Sequence, residues 1–337
     1  MNRYIGHDSQ LYGIEEHRLI GGRGDGMRLF EIHNGKGLDI TVSPDRNGDI
    51  TRLRYRGINM SYMSPCGYVA PAYYDNVGSN WLNSFTAGFL TTCGLNGVGT
   101  PCNDQGEEIP LHGSIANTPC DQAYFTEEKE SADGGEQITS LVVRTVTRDE
   151  TIFGRKLRLE REIRVSTEEN SFIITDTIEN TGDREEPFEI LYHMNMGYPL
   201  LDEDSVVTIP SVEVKPRDEH AAEDAANWMH MEKPTDGYQE RCYYHVFEQA
   251  SNKTDDPFPT TVSIEQPKID TKLSISFDAS SLEGFVEWKM MGVRDYVLGL
   301  ECGNCYPDGR DVMRKTGMLK FLKPSEKRQY RVKIELH

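Results

Sequence analysis

The chain has 337 residues, of which 36 are basic and 55 acidic, so its formal net charge is −19. So acidic a composition lacks the basic face that nucleic acids and anionic membranes require, and we expect neither as a partner. No stretch approaches the ~20 apolar residues of a membrane-spanning helix. We treat residues 1–337 as a single domain, because no linker separates two complete sets of strands.

Cysteine usage bears on the cellular compartment and on cofactors. The chain has seven cysteines, and no apolar signal segment follows Met1. An odd number of scattered cysteines without a signal is typical of reduced thiols, so we expect a cytoplasmic protein. Cys302 and Cys305 have the spacing of a metal or redox pair, but no second pair or suitably spaced histidine stands near them. We therefore expect no metal and no cofactor.

Alternation of apolar and polar residues predicts most of the secondary structure. In residues 157–165, leucine, isoleucine and valine alternate with arginine and glutamate, the pattern of a half-buried antiparallel strand. The same period of two recurs in residues 172–178, 273–277 and 330–336. Many short alternating strands with few helices predict an all-β protein, a large β-sandwich.

Two segments depart from the strand pattern. Residues 127–137 are polar and contain glycine, and we predict a hinge between strands there. Residues 218–231 carry four alanines among acidic residues and then Trp228. That composition is typical of a short helix or a long surface loop.

A basic stripe is the first feature that points to a ligand. Arg52, Arg54 and Arg56 alternate with apolar residues and share one face of a strand. Such a stripe could bind an anionic sugar, which makes Arg56 a candidate substrate-binding residue. The alternative is the solvated face of an ordinary strand.

His112 is the next candidate and lies between Pro110 and Gly113. The flanking proline and glycine predict a loop, the kind of segment in which binding residues concentrate. We therefore predict that His112 binds substrate. The alternative is an exposed loop histidine without function.

His193 lies in a strand-like run. Period-two geometry places His193 and Asn195 on one face, and Tyr192, Met194 and Met196 on the other. The methionines suit a core, whereas histidine and asparagine suit a cleft. We predict His193 as a catalytic residue and Asn195 as a substrate contact, with a purely structural histidine as the alternative.

Glu301 ends an apolar run in which it shares a face with Val297 and Gly299. Gly299 has no side chain and leaves space beside the carboxylate for a ligand. The alternative is a salt bridge at the rim. If Glu301 and His193 meet in one cleft, they supply the proton acceptor and donor that opening and closing a sugar ring requires.

Three weaker candidates complete the predicted site. His245 is flanked by aromatic residues on a predicted strand and could contact a sugar hydroxyl. Trp288 and Lys289 precede the strand of Glu301, and an indole stacks well on the apolar face of a sugar ring. A core position is the alternative for Trp288.

Five phrases, taken together and in order, resemble a branch of aldose 1-epimerase relatives within the galactose mutarotase-like superfamily. They are LRYRGIN at 53–59, GFLTTCGL at 88–95, LHG at 111–113, YHMNMGYPL at 192–200 and YVLGLE at 296–301. The resemblance implies a β-supersandwich of antiparallel strands with few short helices. It also implies that His112 binds the sugar, that His193 protonates the ring oxygen and that Glu301 takes the proton of the anomeric hydroxyl.

The predicted activity is that of a mutarotase or epimerase acting at the anomeric carbon of an aldose, with a small-molecule sugar as substrate. In this scheme His193 is charged near neutral pH and Glu301 is ionised, and attraction across a sugar-sized gap favours both states. Two other functions stay open: a non-catalytic carbohydrate-binding or sensing protein, and an isomerase or lyase of acidic sugars on the same scaffold. A homodimer also stays open.

Overall fold

Strands make up most of the computed structural model, which describes residues 3–131, 137–248 and 257–337. An N-terminal sheet has five antiparallel strands in chain order: β1 (Gly13–Arg18), β2 (Arg28–His33), β3 (Leu38–Ser43), β4 (Asp49–Tyr55) and β5 (Ile58–Asn59). Two small ribbons follow, one of β6 (Tyr62–Met63) with β7 (Ala87–Gly88), the other of β9 (Cys102–Asp104) with β10 (Glu107–Ile109).

Two large antiparallel sheets form the rest of the described fold. The eight-stranded sheet contains, in spatial order, β11 (Gln122–Ser131), β12 (Gln137–Glu150), β13 (Lys156–Ser166), β14 (Ser171–Asn180), β24 (Lys327–Leu336), β20 (Thr271–Asp278), β19 (Pro259–Gln266) and β16 (Val206–Thr208). The seven-stranded sheet contains β17 (Glu213–Pro216), β18 (Arg241–Val246), β21 (Gly284–Met291), β22 (Tyr296–Gly303), β15 (Glu186–Met196) and β23 (Lys320–Leu322), with β8 (Leu90–Leu95) also paired to β15.

Helices are few and short in the described ranges. The α-helices are α1 (Glu219–Ala222) and α2 (Arg310–Thr316). Single 3₁₀ turns lie at Asp8–Gln10, Gly22–Gly24, Pro44–Arg46, Pro71–Tyr73, Asn80–Ser84, Ile115–Asn117, Ala225–Asn227 and Pro267–Ile269. No described helix has the length and apolar character needed to span a membrane. The predicted all-β supersandwich of antiparallel strands with few short helices is confirmed.

The core lies between the two large sheets, and the period of two explains how it forms. Along β13 every second residue is buried, and its leucines, isoleucine and valine join one cluster with side chains of the seven-stranded sheet. The same four predicted strands appear as β13, β14, β20 and β24. Burial of one face of each strand therefore fixes the inward and outward positions throughout both sheets.

The predictions for the two segments that depart from the strand pattern have different outcomes. Residues 218–231 contain α1 and one 3₁₀ turn, so the predicted short helix is confirmed. The hinge predicted at 127–137 is wrong for residues 127–131, because β11 continues to Ser131 through unbroken pairing with β12. Residues 132–136 of that prediction lie outside the described residues.

The cysteines do not form the pair that their spacing suggested as an alternative. All seven are free thiols. Cys302 belongs to the core between the large sheets, whereas Cys305 packs in a separate small cluster with Cys93 and Met313. Within the described residues, no group of three or more histidine, cysteine or acidic side chains is arranged to hold a metal ion.

A buried ionic network joins three parts of the fold. Arg161 on β13 is 2% exposed and forms a bidentate contact with Asp176 on β14, at 2.8 and 2.7 Å. Its guanidinium also donates to Asp49 on β4, at 2.8 Å, and to Thr92 on β8, at 2.8 Å. Because Asp49 and Asp176 are both buried, loss of the arginine would leave two carboxylates without their counter-charge.

We expect Arg161→Met to lower the free energy of unfolding by about 3–5 kcal/mol, the usual cost of breaking a buried ion pair. Arg158→Met is the matched control on the same strand, because Arg158 pairs with Glu160 and Glu179 at the partly exposed surface. Its loss should stay within about 1 kcal/mol. Chemical denaturation followed by circular dichroism measures both, and equal small losses would contradict the role given to Arg161.

Candidate functional site

A cleft of about 410 Å³ opens on the face of the seven-stranded sheet that points away from the core. This volume lies within the ~300–1,000 Å³ range of small-ligand sites. Strands β18, β21, β22 and β15 supply its floor through Cys242, Val286, Trp288, Glu301 and His193. Loops before and after β9 and β10 supply its walls.

His193 and Glu301 lie side by side on the floor of the cleft. They are directly opposite each other in the antiparallel pairing of β15 with β22. His193 Nε2 and Glu301 Oε1 are 3.2 Å apart, and the residues are only 5% and 2% exposed. The two distant segments predicted to converge therefore do so, through direct strand pairing.

Gly299 explains how the Glu301 carboxyl reaches this position. Gly299 and Glu301 share a face of β22, and a Cβ on Gly299 would collide with Oε1 of Glu301 and lie 3.0 Å from Cβ of Trp288. The space left by the missing side chain is thus filled by the carboxyl itself. The prediction from the sequence that a ligand fills this space is therefore wrong.

Burial sets the protonation state of the pair. It lowers the pKa of His193 to about 3, with a smaller contribution from neighbouring His112. It also raises the pKa of Glu301 well above its usual 4.5, an effect that nearby Glu240 increases. Both shifts favour a neutral imidazole beside a protonated carboxyl over an ion pair. The expectation of a charged histidine facing an ionised glutamate across a sugar-sized gap is wrong for this state, because the groups touch and are shielded from water.

Two polar atoms of the His193–Glu301 pair remain available for hydrogen bonds to a ligand. Within the described residues, the buried Nδ1 of His193 has no hydrogen-bond partner, and Oε1 of Glu301 has none besides its 3.2 Å contact with His193 Nε2. Buried polar atoms in folded proteins are nearly always paired with protein or water. Their position in a cleft indicates that a bound polar molecule completes them.

His112 stands above the pair on the predicted loop. Its backbone adopts φ 57°, and its Nδ1 accepts a hydrogen bond from the Gly99 backbone N–H at 3.3 Å. Its ring centroid lies 5.6 Å from that of His193 and 4.9 Å from that of Trp81. Packing of the ring lowers its pKa to about 4, so it is neutral near pH 7. The alternative of an exposed loop histidine is wrong.

Aromatic rings form the rest of the wall around His193. Phe85 and Trp288 approach its ring edge-to-face, with centroids at 5.5 and 5.2 Å. Trp81 is stacked on Phe85 at 4.6 Å. Trp288 thus lines the cleft, as predicted. Flat apolar rings beside hydrogen-bonding groups suit the mixed apolar and hydroxyl faces of a sugar.

Glu240 and Arg217 form an ion pair at the rim of the cleft. Glu240 accepts hydrogen bonds from the Trp288 indole N–H at 2.7 Å and from Arg217 at 3.1 Å. Arg217 also donates to Asp218 at 3.1 Å and to the Cys242 thiol at 3.0 Å. Glu240 therefore fixes both the plane of Trp288 and the guanidinium of Arg217.

Two predicted substrate contacts point to the opposite face of the sheet. Lys289 is fully buried and pairs with Glu232 at 2.8 Å. His245 is also fully buried, 3.4 Å from Glu287, with Trp228 against its ring. Trp288 and Cys242 face the cleft. Lys289 is one position from Trp288 and His245 is three positions from Cys242, and residues an odd number of positions apart on a strand face opposite sides. Lys289 and His245 therefore face the core side, and both predictions are wrong.

The other two predicted contacts also lie outside the cleft lining. Asn195 is fully buried and donates to the backbone carbonyl of His193 at 3.0 Å, which holds that strand in place. Arg56 is in the turn between β4 and β5, where its guanidinium lies over the Tyr55 ring at 4.7 Å from the centroid. It belongs to the N-terminal sheet, and its assignment as a substrate contact is wrong.

The cleft residues that sequence reasoning missed include Trp81, Phe85, Arg217, Glu240 and Cys242. The aromatic pair sits in and just after a 3₁₀ turn, where no strand period marks a buried face. Arg217 precedes Asp218, whose side chain caps α1. This capping pattern is the one sequence signal that indicates an ordered turn beside Arg217. Glu240 carries no local signal at all.

Comparison with known proteins places the chain in a family. The model of the family described as a domain of unknown function, DUF4432, matches residues 24–336. A search of curated proteins found no match.

Solved structures resemble the whole chain. A protein of Klebsiella pneumoniae, provisionally named an aldose 1-epimerase, is 26% identical with a TM-score of 0.87, over 98% of this chain and 86% of that one. A galactose mutarotase-like protein of Clostridium acetobutylicum is 13% identical with a TM-score of 0.59, over 97% and 99% of the chains. Galactose 1-epimerase of Lactobacillus acidophilus is 14% identical with a TM-score of 0.57, over 97% and 99%. The chain therefore belongs to the DUF4432 family and has the galactose mutarotase-like fold.

Proposed function

We propose that the protein is an aldose mutarotase, which interconverts the α and β anomers of a sugar. The observation that carries the proposal is the His193–Glu301 contact of 3.2 Å on the floor of an aromatic-walled cleft. The name of the Klebsiella pneumoniae relative supports the same reaction class. Ring opening needs one proton acceptor and one donor within reach of adjacent sugar oxygens, and this pair supplies both.

The proposed reaction needs only the proton that the pair already holds. In the resting site Glu301 carries the proton and His193 carries a free lone pair. On ring opening, His193 accepts the proton of the anomeric hydroxyl while Glu301 donates to the ring oxygen, and the C1–O5 bond breaks to give the aldehyde. The pair is then in its ionic form, with His193 protonated and Glu301 ionised.

Ring closure returns the pair to its starting state. Rotation about the C1–C2 bond presents the other face of the aldehyde. Protonated His193 then donates to the carbonyl oxygen, Glu301 accepts the proton of the O5 hydroxyl, and the C1–O5 bond forms again. This scheme reverses the assignment made from the sequence, in which His193 protonates the ring oxygen and Glu301 takes the proton of the anomeric hydroxyl. Each group thus serves once as acid and once as base.

An isomerase or lyase of acidic sugars has less support than a mutarotase. That alternative rested on the arginine stripe, but Arg52 and Arg54 line a small depression on the N-terminal sheet together with Glu31 and Asp39. None of these residues lines the cleft of His193. A non-catalytic sugar-binding protein is distinguished by the kinetic experiment below.

We expect His193→Asn and Glu301→Gln each to lower kcat/KM for mutarotation by about 10²-fold or more, the usual share of general acid–base catalysis. The double variant should be little worse than either single one, because the two groups act as a unit. Polarimetry or NMR on freshly dissolved α-sugars, over a panel of aldoses, measures the rate.

Two matched controls make the same chemical changes elsewhere. His17→Asn alters an exposed position on β1 and Glu160→Gln a partly exposed one on β13, and both variants should keep the wild-type rate. A His193→Asn protein as fast as wild type would rule out the assigned pair. Sugar binding without acceleration by wild-type protein would instead indicate a binding protein.

The protonation state gives an independent prediction. Because the pKa of His193 is lowered to about 3 and that of His112 to about 4, neither ring should take up a proton as the pH falls from 8 to 5. An ordinary histidine titrates near pH ~6.5 over this range. NMR of the imidazole signals, assigned by their loss in His193→Asn and His112→Asn, measures it. Titration of His193 near neutrality would contradict the neutral resting pair.

A further inference from the structure

The rim of the cleft holds a single formal positive charge among the described residues that line it, that of Arg217. Each nitrogen of its guanidinium donates one hydrogen bond, to Glu240 and Asp218 at 3.1 Å and to the Cys242 thiol at 3.0 Å. Two carboxylates therefore surround one cation. The neutral histidines on the floor add no compensating positive charge.

This charge balance bears on what the cleft accepts. An anionic substituent, such as a phosphate or a carboxylate, would find the one cation of the rim already paired with Glu240, on a chain of net charge −19. Like charges brought together at an interface oppose binding and are a common device for rejecting wrong ligands. A neutral polyhydroxyl ligand meets no such penalty.

We propose that Glu240 is a specificity-determining residue that makes the site select neutral aldoses over their phosphorylated or uronic-acid counterparts. The inference rests on the proposed mutarotase function and names its substrate class. Glu240 acts by neutralising Arg217, the one group that would otherwise attract an anion into the cleft.

The second contact of Glu240 strengthens this selection. An anion that took the place of Glu240 on Arg217 would also free the Trp288 indole N–H, which Glu240 holds at 2.7 Å. Displacement would then release the ring that packs edge-to-face against His193 at 5.2 Å. An anionic sugar that replaced Glu240 on Arg217 would thus loosen the aromatic wall beside the reacting groups.

Glu240→Gln tests the charge without removing the wall. The amide oxygen still accepts the Trp288 hydrogen bond, while the negative charge on Arg217 is gone. In wild type we expect kcat/KM for a neutral hexose to exceed kcat/KM for its 6-phosphate or uronic acid by about tenfold or more. In Glu240→Gln this ratio should fall by about fivefold or more, because the interaction of an anion with a unit charge a few ångströms away corresponds to at least that factor even in water.

The matched control is Glu265→Gln, which makes the same charge change at an exposed position of β19 and should leave the ratio unchanged. Adding Arg217→Gln to Glu240→Gln should restore the wild-type ratio, because it removes the cation that Glu240→Gln exposes. An unchanged ratio in Glu240→Gln, or a wild-type protein that prefers the anionic sugars, would overturn the proposal.

Thermal-shift titration with the same neutral and anionic sugars separates this inference from the proposed activity. If no sugar is turned over but neutral sugars stabilise wild type and anionic ones stabilise only Glu240→Gln, the selectivity stands and the mutarotase assignment fails. If turnover is observed without discrimination, the assignment stands and the role of Glu240 fails. Stabilisation by none of the sugars, together with no turnover, overturns both.

Discussion

The antiparallel register between β15 and β22 is the constraint on which the site depends. It places His193 directly opposite Glu301, and the same register places Met194 opposite Leu300 in the core. Because successive strand residues face opposite sides, a slip of one position would turn the polar pair towards the core and the apolar pair towards the cleft. The hydrophobic core between the large sheets thus enforces the geometry of the cleft.

Burial gives this geometry its chemical character. In water a histidine and a glutamate at 3.2 Å would form an ordinary ion pair, but the floor of the cleft disfavours both charges. The pair then holds one proton in a neutral form and reaches the ionic form only when a substrate exchanges protons with it. The aromatic walls of Trp81, Phe85 and Trp288 maintain this dry environment, and Glu240 holds Trp288 in place.

Much of the fold could be predicted from the sequence because the period of two along a strand records which face is buried. That period identified the four long strands and placed His193 on the side away from Met194. It also shows where the predictions failed: Lys289 follows Trp288 and must face the other side, so both cannot line one cleft. Arg217 and Glu240 could not be found, since strand and loop segments distant in the chain bring them together and no local pattern marks either.

The most direct test of the account is a crystal structure of the protein with an aldose bound in the cleft. The account predicts that the anomeric oxygen and the ring oxygen each lie within about 2.6–3.2 Å of His193 or Glu301, the reach that proton transfer requires. A sugar whose anomeric carbon faces the rim at Arg217, or one bound outside the cleft, would contradict the proposed proton transfers.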